Sequence, residues 1–283
     1  MAIIETKNLT YTYPGATKPS INDVSIKVEK GEFVLITGPS GCGKTSLCRC
    51  FNGLIPHFYQ GEFKGEISVA GIDPLKHHTY EMAKHVGLVF QNPENQLFAL
   101  SIEKDVAFGL ENNGVPRDEM RKRVDWALNQ TGIYDIRERS PHEISGGQQQ
   151  RVAIAAVLAM RPEIIVLDEP TSFLDPLSAE KIFEVIHNLN REQGITVILV
   201  EHRLDLTAKY ANHLIVMDEG KVRFEGNPRE ILSTDETRLI GVGIPKATLL
   251  HQMLRKEGLN LGNTTPLSSE ELAEQLLEAL SPK

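Results

Sequence analysis

The segment Gly38-Pro39-Ser40-Gly41-Cys42-Gly43-Lys44-Thr45 decides how this chain is read. It has the spacing G-x-x-x-x-G-K-[ST]. It stands between an apolar run, Phe33 to Thr37, and a helical pattern that ends near Asn52-Gly53. A continuous apolar run of that length suits a strand buried on both faces. A strand that turns through glycines into a helix is the context in which this spacing holds phosphate. The glycines let successive backbone N–H groups turn inward around phosphate oxygens, and the start of the helix adds its positive end. Lys44 is then placed for the β- and γ-phosphates and the Thr45 hydroxyl for Mg²⁺. The nucleotide-binding positions are therefore Gly38, Pro39, Ser40, Gly41, Cys42, Gly43, Lys44, Thr45 and Ser46. A glycine turn without a ligand is the plain alternative, and the strand-to-helix setting weighs against it.

Further along the chain, Ile164-Ile165-Val166-Leu167-Asp168-Glu169 is an apolar strand that ends in two acids. A buried parallel strand delivers its C-terminal residues to the ligand edge of the sheet, beside the phosphate loop. There Asp168 suits the Mg²⁺ shell, and Glu169 suits polarising the attacking water. An Asp-Glu pair at a strand end is common by itself; the phosphate loop upstream gives it a function. Other strand-like segments are Glu66 to Val69, Val86 to Phe90, Ile195 to Val200 and Leu214 to Met217, with helical patterns between them. Residues before 37 read as strands, with Val24, Ile26 and Val28 alternating as in a half-exposed antiparallel strand. Helical patterns at Ile102 to Leu110, Asp118 to Gln130 and Gln148 to Met160 follow one another without a strand, so a helical subdomain is inserted over about 92–160. Beyond the α/β body, Lys246 to Glu257 and Ser269 to Leu280 read as amphipathic helices. Ser268 and Glu271 have capping-box spacing, and Leu272, Leu276 and Leu280 form an apolar stripe. Residues 1–235 thus make one α/β body, and residues 236–283 a helical extension.

Composition narrows the function further. Of the 283 residues, 41% are hydrophobic and 24% charged, which excludes disordered and collagen-like classes. Asp plus Glu outnumber Lys plus Arg by 38 to 30, a net charge of −8 that runs against the basic footprint of a nucleic-acid binder. No apolar run approaches the roughly 20 residues needed to span a bilayer. The N-terminus lacks the basic flank and apolar core of a signal peptide. Cys42, Cys48 and Cys50 cannot form a disulfide framework. A cytoplasmic protein is the expectation. Cys42 sits near the positive end of a helix, which favours a thiolate and predicts that alkylation blocks nucleotide binding.

The segment Ser145-Gly146-Gly147-Gln148, followed by Gln149-Gln150-Arg151, resembles the signature motif of ABC-type ATPases. The order of its companions is similar too: phosphate loop, Gln91, signature, Asp168-Glu169-Pro170-Thr171, Ser172-Phe173-Leu174-Asp175 and His202. The resemblance covers residues 1 to about 232. It implies a P-loop NTPase of ABC ATPase type, α/β, with an antiparallel β subdomain, an inserted α-helical subdomain and a small helical C-terminal extension. It also implies ATP and Mg²⁺, and two subunits closed head to tail on two ATP molecules. Ser145, Gly146, Gly147 and Gln148 of one subunit would then meet the γ-phosphate held by the phosphate loop of the other. Gln91 would touch Mg²⁺ or the water, His202 the γ-phosphate, and Asp175 the dimer interface. Tyr11-Thr12-Tyr13-Pro14 resembles the aromatic loop that stacks on adenine, with Tyr13 on the base and Tyr11 in the core. Two departures are mild: Ile144 stands where Leu is usual, and Phe173 where Ala is usual.

Gln91-Asn92-Pro93-Glu94-Asn95-Gln96-Leu97-Phe98 resembles the same segment in ATPases of energy-coupling-factor importers of vitamins and of cobalt or nickel, as does the C-terminal extension. The implied partners are a second ABC ATPase subunit (itself or a paralogue), a transmembrane coupling protein and a substrate-binding membrane component, with no nucleic acid. The implied location is the cytoplasmic face of the cell membrane. The competing readings are the ATPase of a conventional ABC importer or exporter, and an ABC-type ATPase acting on DNA or the ribosome. The latter is disfavoured by a single phosphate loop, the absence of coiled-coil heptads and the acidic balance. A nucleotide kinase would lack Ser145 to Gln148.

Overall fold

In the computed structural model, which describes residues 2–281, the chain begins with strands β1 (Ala2–Thr12), β2 (Ile21–Val24) and β3 (Lys27–Glu29). Strand β4 (Phe33–Thr37) leads through the phosphate loop into helix α1 (Lys44–Phe51). Strand β5 (Glu62–Val69) and the short β6 (Val86–Val89) follow. Three helices come next, α2 (Ile102–Asn112), α3 (Arg117–Gln130) and α4 (Gly146–Met160). Then come β7 (Ile164–Asp168), α5 (Pro176–Gln193), β8 (Thr196–Val200), β9 (His213–Asp218) and β10 (Lys221–Gly226). Helices α6 (Lys246–Lys256) and α7 (Ser269–Leu280) close the chain. None of the described helices is long and apolar enough to cross a membrane.

Two sheets form. Long β1 pairs antiparallel with β2 and β3 along one edge and with β5 along the other. The second sheet has the order β10-β9-β4-β8-β7-β6, parallel throughout except for β10. Its central strands β4, β8 and β7 are buried along their whole length, as their unbroken apolar sequences require. Side chains alternate across a strand, so the two faces separate by parity. Phe33, Leu35, Ile165, Leu167, Val197 and Leu199 enter a core shared with the helical insertion and α5. Val34, Ile36, Ile164, Val166, Ile198 and Val200 enter a second core, roofed by the antiparallel sheet and α1. Fully burying each such side chain stabilises the fold by about 1.5–3 kcal/mol.

The helical insertion shares one continuous core with the sheet. Ile102, Val106 and Leu110 of α2, Val124, Ala127 and Leu128 of α3, and Val152, Ala155 and Leu158 of α4 all belong to it. Strand β10 was not among the strand-like segments of the sequence, although Lys221-Val222-Arg223-Phe224-Glu225 alternates plainly. The Glu219-Gly220 turn, both residues at positive φ, reverses the chain and pairs it antiparallel with β9. The C-terminal helices form a small core of their own, with Ala247, Leu261 and Leu272 buried and Leu276 packed against them. Leu280 remains exposed, so the leucine stripe is packed only over its first half. The capping box at Ser268 is half made. Ser268 Oγ accepts the Glu271 N–H, but Glu271 accepts from Leu267 N–H and grips Arg229 with both oxygens at 2.6 and 2.8 Å.

Candidate functional site

The phosphate loop owes its shape to glycine at two places. Gly38 has φ +145°, and a Cβ there would lie 2.0 Å from Met217 O. Gly43 has φ +107°, and a Cβ there would lie 2.1 Å from Ser20 O. No other residue type fits either position without moving backbone. Gly43 is also the N-cap of α1 and supplies no capping side chain, so the first-turn N–H groups are left for an anion. Lys44 is buried, and its ammonium donates to Gly38 O and Pro39 O, both at 2.9 Å. The loop thus holds its own cation ready over the place where phosphates would sit.

A cavity of about 620 Å³ opens on this loop. Its walls bring together Ser40, Lys44, Thr45, Gln91, Glu169 and His202. Glu169 is the hub: its Oε2 accepts from Gln91 Nε2 at 2.7 Å, and its Oε1 lies 3.0 Å from His202 Nε2. Gln91 lies 78 residues before Glu169 and His202 33 residues after it; strand order places them together, because β7 runs between β6 and β8. Glu169 has φ +49°, a left-handed backbone unusual for a side chain with a Cβ, which turns the residue out of β7 toward the cavity. Ser20 and Gly241 also line this cavity, and neither was expected from the sequence. Gly241 belongs to the segment leading into α6, so that segment reaches the rim of the site.

Thr45, Gln91 and Asp168 line a neighbouring cavity of about 460 Å³. Asp168 is buried, which raises its pKa, while a hydrogen bond from Thr45 pulls the other way and favours the carboxylate. A hydroxyl, a carboxylate and an amide are hard oxygen donors. Such a set fits Mg²⁺, which takes few protein ligands and keeps several waters.

Ser145, Gly146, Gly147 and Gln148 gather with Asp175 around a separate cavity of about 610 Å³, which shares no lining residue with the phosphate-loop cavity. Ser145 caps α4: its Oγ accepts the Gln148 N–H at 3.3 Å, while Gln148 Oε1 accepts the Ser145 N–H at 3.0 Å. Asp175 caps α5 by accepting the Ser178 N–H at 3.0 Å. Phe173 is 52% exposed and stands beside Gly146, at the mouth of this cavity.

Tyr13 lies beside the phosphate-loop cavity rather than in its wall. Its ring packs edge-on against Tyr11 and Tyr59, and its hydroxyl meets Ser46 Oγ at 3.1 Å and Arg49 Nη1 at 3.2 Å. Tyr11 is fully buried, with its hydroxyl on the carbonyls of Tyr59 and Gln60.

The expected Cys42 thiolate is overturned. Cys42 is buried, and desolvation raises its pKa against the pull of Lys44 at 3.8 Å. Its side chain is turned away from the cavity wall, toward Gly38 and Lys44. Cys48 and Cys50 are likewise buried and held as thiols by desolvation.

The segment after Gln91 is clipped in place by its own polar side chains. Asn92 Oδ1 caps the turn at Glu94 N. Gln96 accepts the Phe90 N–H at 2.9 Å and donates to Leu88 O at 3.1 Å, taking the part of a further strand beside β6. Asp105 of α2 accepts the N–H groups of Phe98 and Ala99 at 3.1 and 3.0 Å. Asp105 was missed from the sequence, where it reads as an ordinary first-turn acid. Phe58 and Phe98 are left exposed nearby.

Comparison with known proteins agrees with this geometry. A family model described as ABC transporter matches residues 21–172. The chain is 43% identical to the energy-coupling factor transporter ATP-binding protein EcfA1 of Bacillus subtilis, over 97% of this chain and 96% of that one. Among solved structures, cbiO1 of Clostridium perfringens, part of the ABC transporter complex cbiONQ, superposes with a TM-score of 0.73 at 35% identity, covering 89% of this chain and 99% of that one. A dimeric ATP-binding cassette in a post-hydrolysis state bound to ADP and Pi gives a TM-score of 0.72 at 31% identity, covering 80% and 99%.

Proposed function

Because the chain belongs to the ABC transporter ATP-binding family, we propose that it is the ATP-hydrolysing motor of an energy-coupling-factor importer of a vitamin or a transition metal ion. The observation that carries the catalytic part is the meeting of Gln91, Glu169 and His202 at the mouth of an uncapped phosphate loop. ATP enters with its phosphates on the α1 N–H groups. Lys44 exchanges the carbonyls of Gly38 and Pro39 for the β- and γ-phosphates. Glu169 accepts a proton from the attacking water, Gln91 orients that water, and His202 contacts the γ-phosphate. Thr45, Asp168 and Gln91 would hold Mg²⁺, which when bound offsets charge on the β- and γ-phosphates. Tyr13, beside the phosphate-loop cavity, would meet the adenine once its neighbours admit the base.

The signature residues Ser145 to Gln148 and Asp175 face a cavity that shares no lining residue with that of this chain's own phosphate loop. A head-to-tail pair would place that surface over the partner's ATP, as the dimeric state of the similar cassette suggests. ATP then serves as the bond between subunits, identical or paralogous. The body, residues 1–235, would do the chemistry, and the extension, residues 236–283, would contact a partner. The clipped Gln91–Phe98 segment and exposed Phe58 and Phe98 suit contact with a transmembrane coupling protein, itself joined to a substrate-binding membrane component. Likeness to EcfA1 and to cbiO1 supports this subfamily and a peripheral position on the cytoplasmic face of the membrane. The test is purification of the tagged protein from detergent-solubilised native membranes. Co-elution of one coupling protein and a small integral binder is expected; recovery of paired conventional transmembrane subunits would overturn the subfamily assignment and leave the ATPase chemistry standing.

A further inference from the structure

Glu201 follows β8 and precedes His202, and it is only 4% exposed. A carboxyl group that deep is costly unless its oxygens are partnered. Both are. Oε2 accepts the backbone N–H of His202 at 3.0 Å and that of Arg203 at 3.3 Å. Oε1 accepts the hydroxyl of Thr171, which is itself fully buried. Arg203 closes the circuit by donating to Thr171 O at 2.7 Å and to the Thr171 hydroxyl. Thr171 stands two residues after Glu169. The Glu201 side chain therefore bridges the ends of β8 and β7, the two segments that present His202 and Glu169 to each other. It does not line the phosphate-loop cavity.

We propose that Glu201 is a positioning residue for ATP hydrolysis, pinning the His202 main chain to Thr171 and so holding the His202 imidazole at hydrogen-bond distance from Glu169. The proposal rests on the assignment of Glu169 and His202 given above. It separates hydrolysis from binding: the bridge joins the segments that carry the two hydrolytic residues, and the Glu201 side chain makes no hydrogen bond to the phosphate loop or Lys44. Displacing a reacting group by about 1 Å is enough to slow an enzyme by roughly a hundredfold.

The test uses the full chain and four variants: Glu201→Ala, Glu201→Gln, Thr171→Val and His202→Ala, with the Glu201→Ala/His202→Ala double variant. Glu201→Ala should lower kcat at least about tenfold with the Kd for ATP within about twofold of wild type. Glu201→Gln keeps an oxygen for both N–H groups and should restore kcat to within about threefold. The double variant should be no slower than His202→Ala, because Glu201 acts through that residue. Should Glu201→Ala fail to fold, the nearly isosteric Thr171→Val breaks the bridge from the other strand and should lower kcat at least about threefold with unchanged ATP affinity. Wild-type kcat in Glu201→Ala, or in folded Thr171→Val, overturns the proposal. So does a parallel loss of ATP affinity, or a double variant whose defect is the product of the two single ones. Wild-type turnover by His202→Ala would instead overturn the assignment of His202 on which the proposal stands.

Discussion

His202 Nε2 lies 3.0 Å from Glu169 Oε1, so the imidazole and the carboxyl group meet across the ligand edge of the sheet. The other Glu169 oxygen is held by Gln91 at 2.7 Å, which leaves the carboxyl group fixed from both sides. For the proton-accepting role proposed for Glu169, that restraint lowers the cost of reaching the reacting geometry. Glu169→Gln keeps the shape and removes the basicity. It should lower ATP turnover by about 10²–10⁴-fold while ATP still binds, and should accumulate an ATP-bound dimer. Phosphate release and size-exclusion chromatography check it; wild-type turnover would refute the role of Glu169.

Gly43→Ala should lose ATP binding and stability together. The positive φ alone costs about 1–2 kcal/mol, and the new Cβ would lie 2.1 Å from Ser20 O. Thermal unfolding with and without ATP measures both losses. Lys44→Ala should spare the fold's melting temperature far more than Gly43→Ala while weakening nucleotide binding just as clearly, since it removes a side chain rather than displacing backbone.

Ser145→Arg should stop turnover while each monomer still binds ATP. Ser145 borders a cavity that shares no residue with the phosphate loop of its own chain. Fluorescent-nucleotide binding together with phosphate release separates the two effects. Loss of ATP binding by the monomer would argue against a site shared between subunits.

His213 should make stability fall as pH rises. Its Nε2 lies 3.2 Å from Glu225 and its Nδ1 3.1 Å from Glu32. The hydrogen bond to Glu225 raises the pKa above the ordinary 6.5, burial opposes it, and Glu32 adds to the rise. A raised folded-state pKa means the imidazolium stabilises the fold fully below about 6.5 and loses that contribution as pH passes through the folded value. His213→Gln should therefore cost about 1–2 kcal/mol near pH 6 and clearly less near pH 9. Denaturant unfolding at the two pH values decides it; an equal cost at both would show that the charge contributes nothing.

Cys42 should react slowly with iodoacetamide at pH 8, because burial holds it as a thiol. Mass spectrometry of the labelled protein should find little modification at Cys42 whether or not ATP is present. Rapid labelling that ATP prevents would restore the thiolate that the helix end by itself suggests.

How much of this was legible depends on how local the cause is. Gly38 and Gly43 could be read in advance because a phosphate-binding turn demands glycine wherever it occurs. The buried strands were legible because residues 33–36, 164–167 and 197–200 are apolar without interruption. Cys42 was misjudged since helix-end electrostatics is visible along the chain, whereas the desolvation that outweighs it comes from residues packed in three dimensions. Glu201 and Asp105 went unnoticed for a related reason: in sequence they are ordinary acids, and only the fold turns Glu201 into a bridge to the Thr171 hydroxyl and Asp105 into a clamp for the N–H groups of Phe98 and Ala99.

The motifs and their order determined the family, the phosphate loop and the types of residue available for hydrolysis, because each rests on chemistry contained within a few neighbouring residues. The tertiary structure decided which of them meet. The order β6-β7-β8 in the parallel sheet brings Gln91, Glu169 and His202 to one edge, and it leaves Ser145 at another cavity. No local rule contains that placement. Strand neighbours are chosen by burying two faces of one sheet at once, a condition that involves the whole chain.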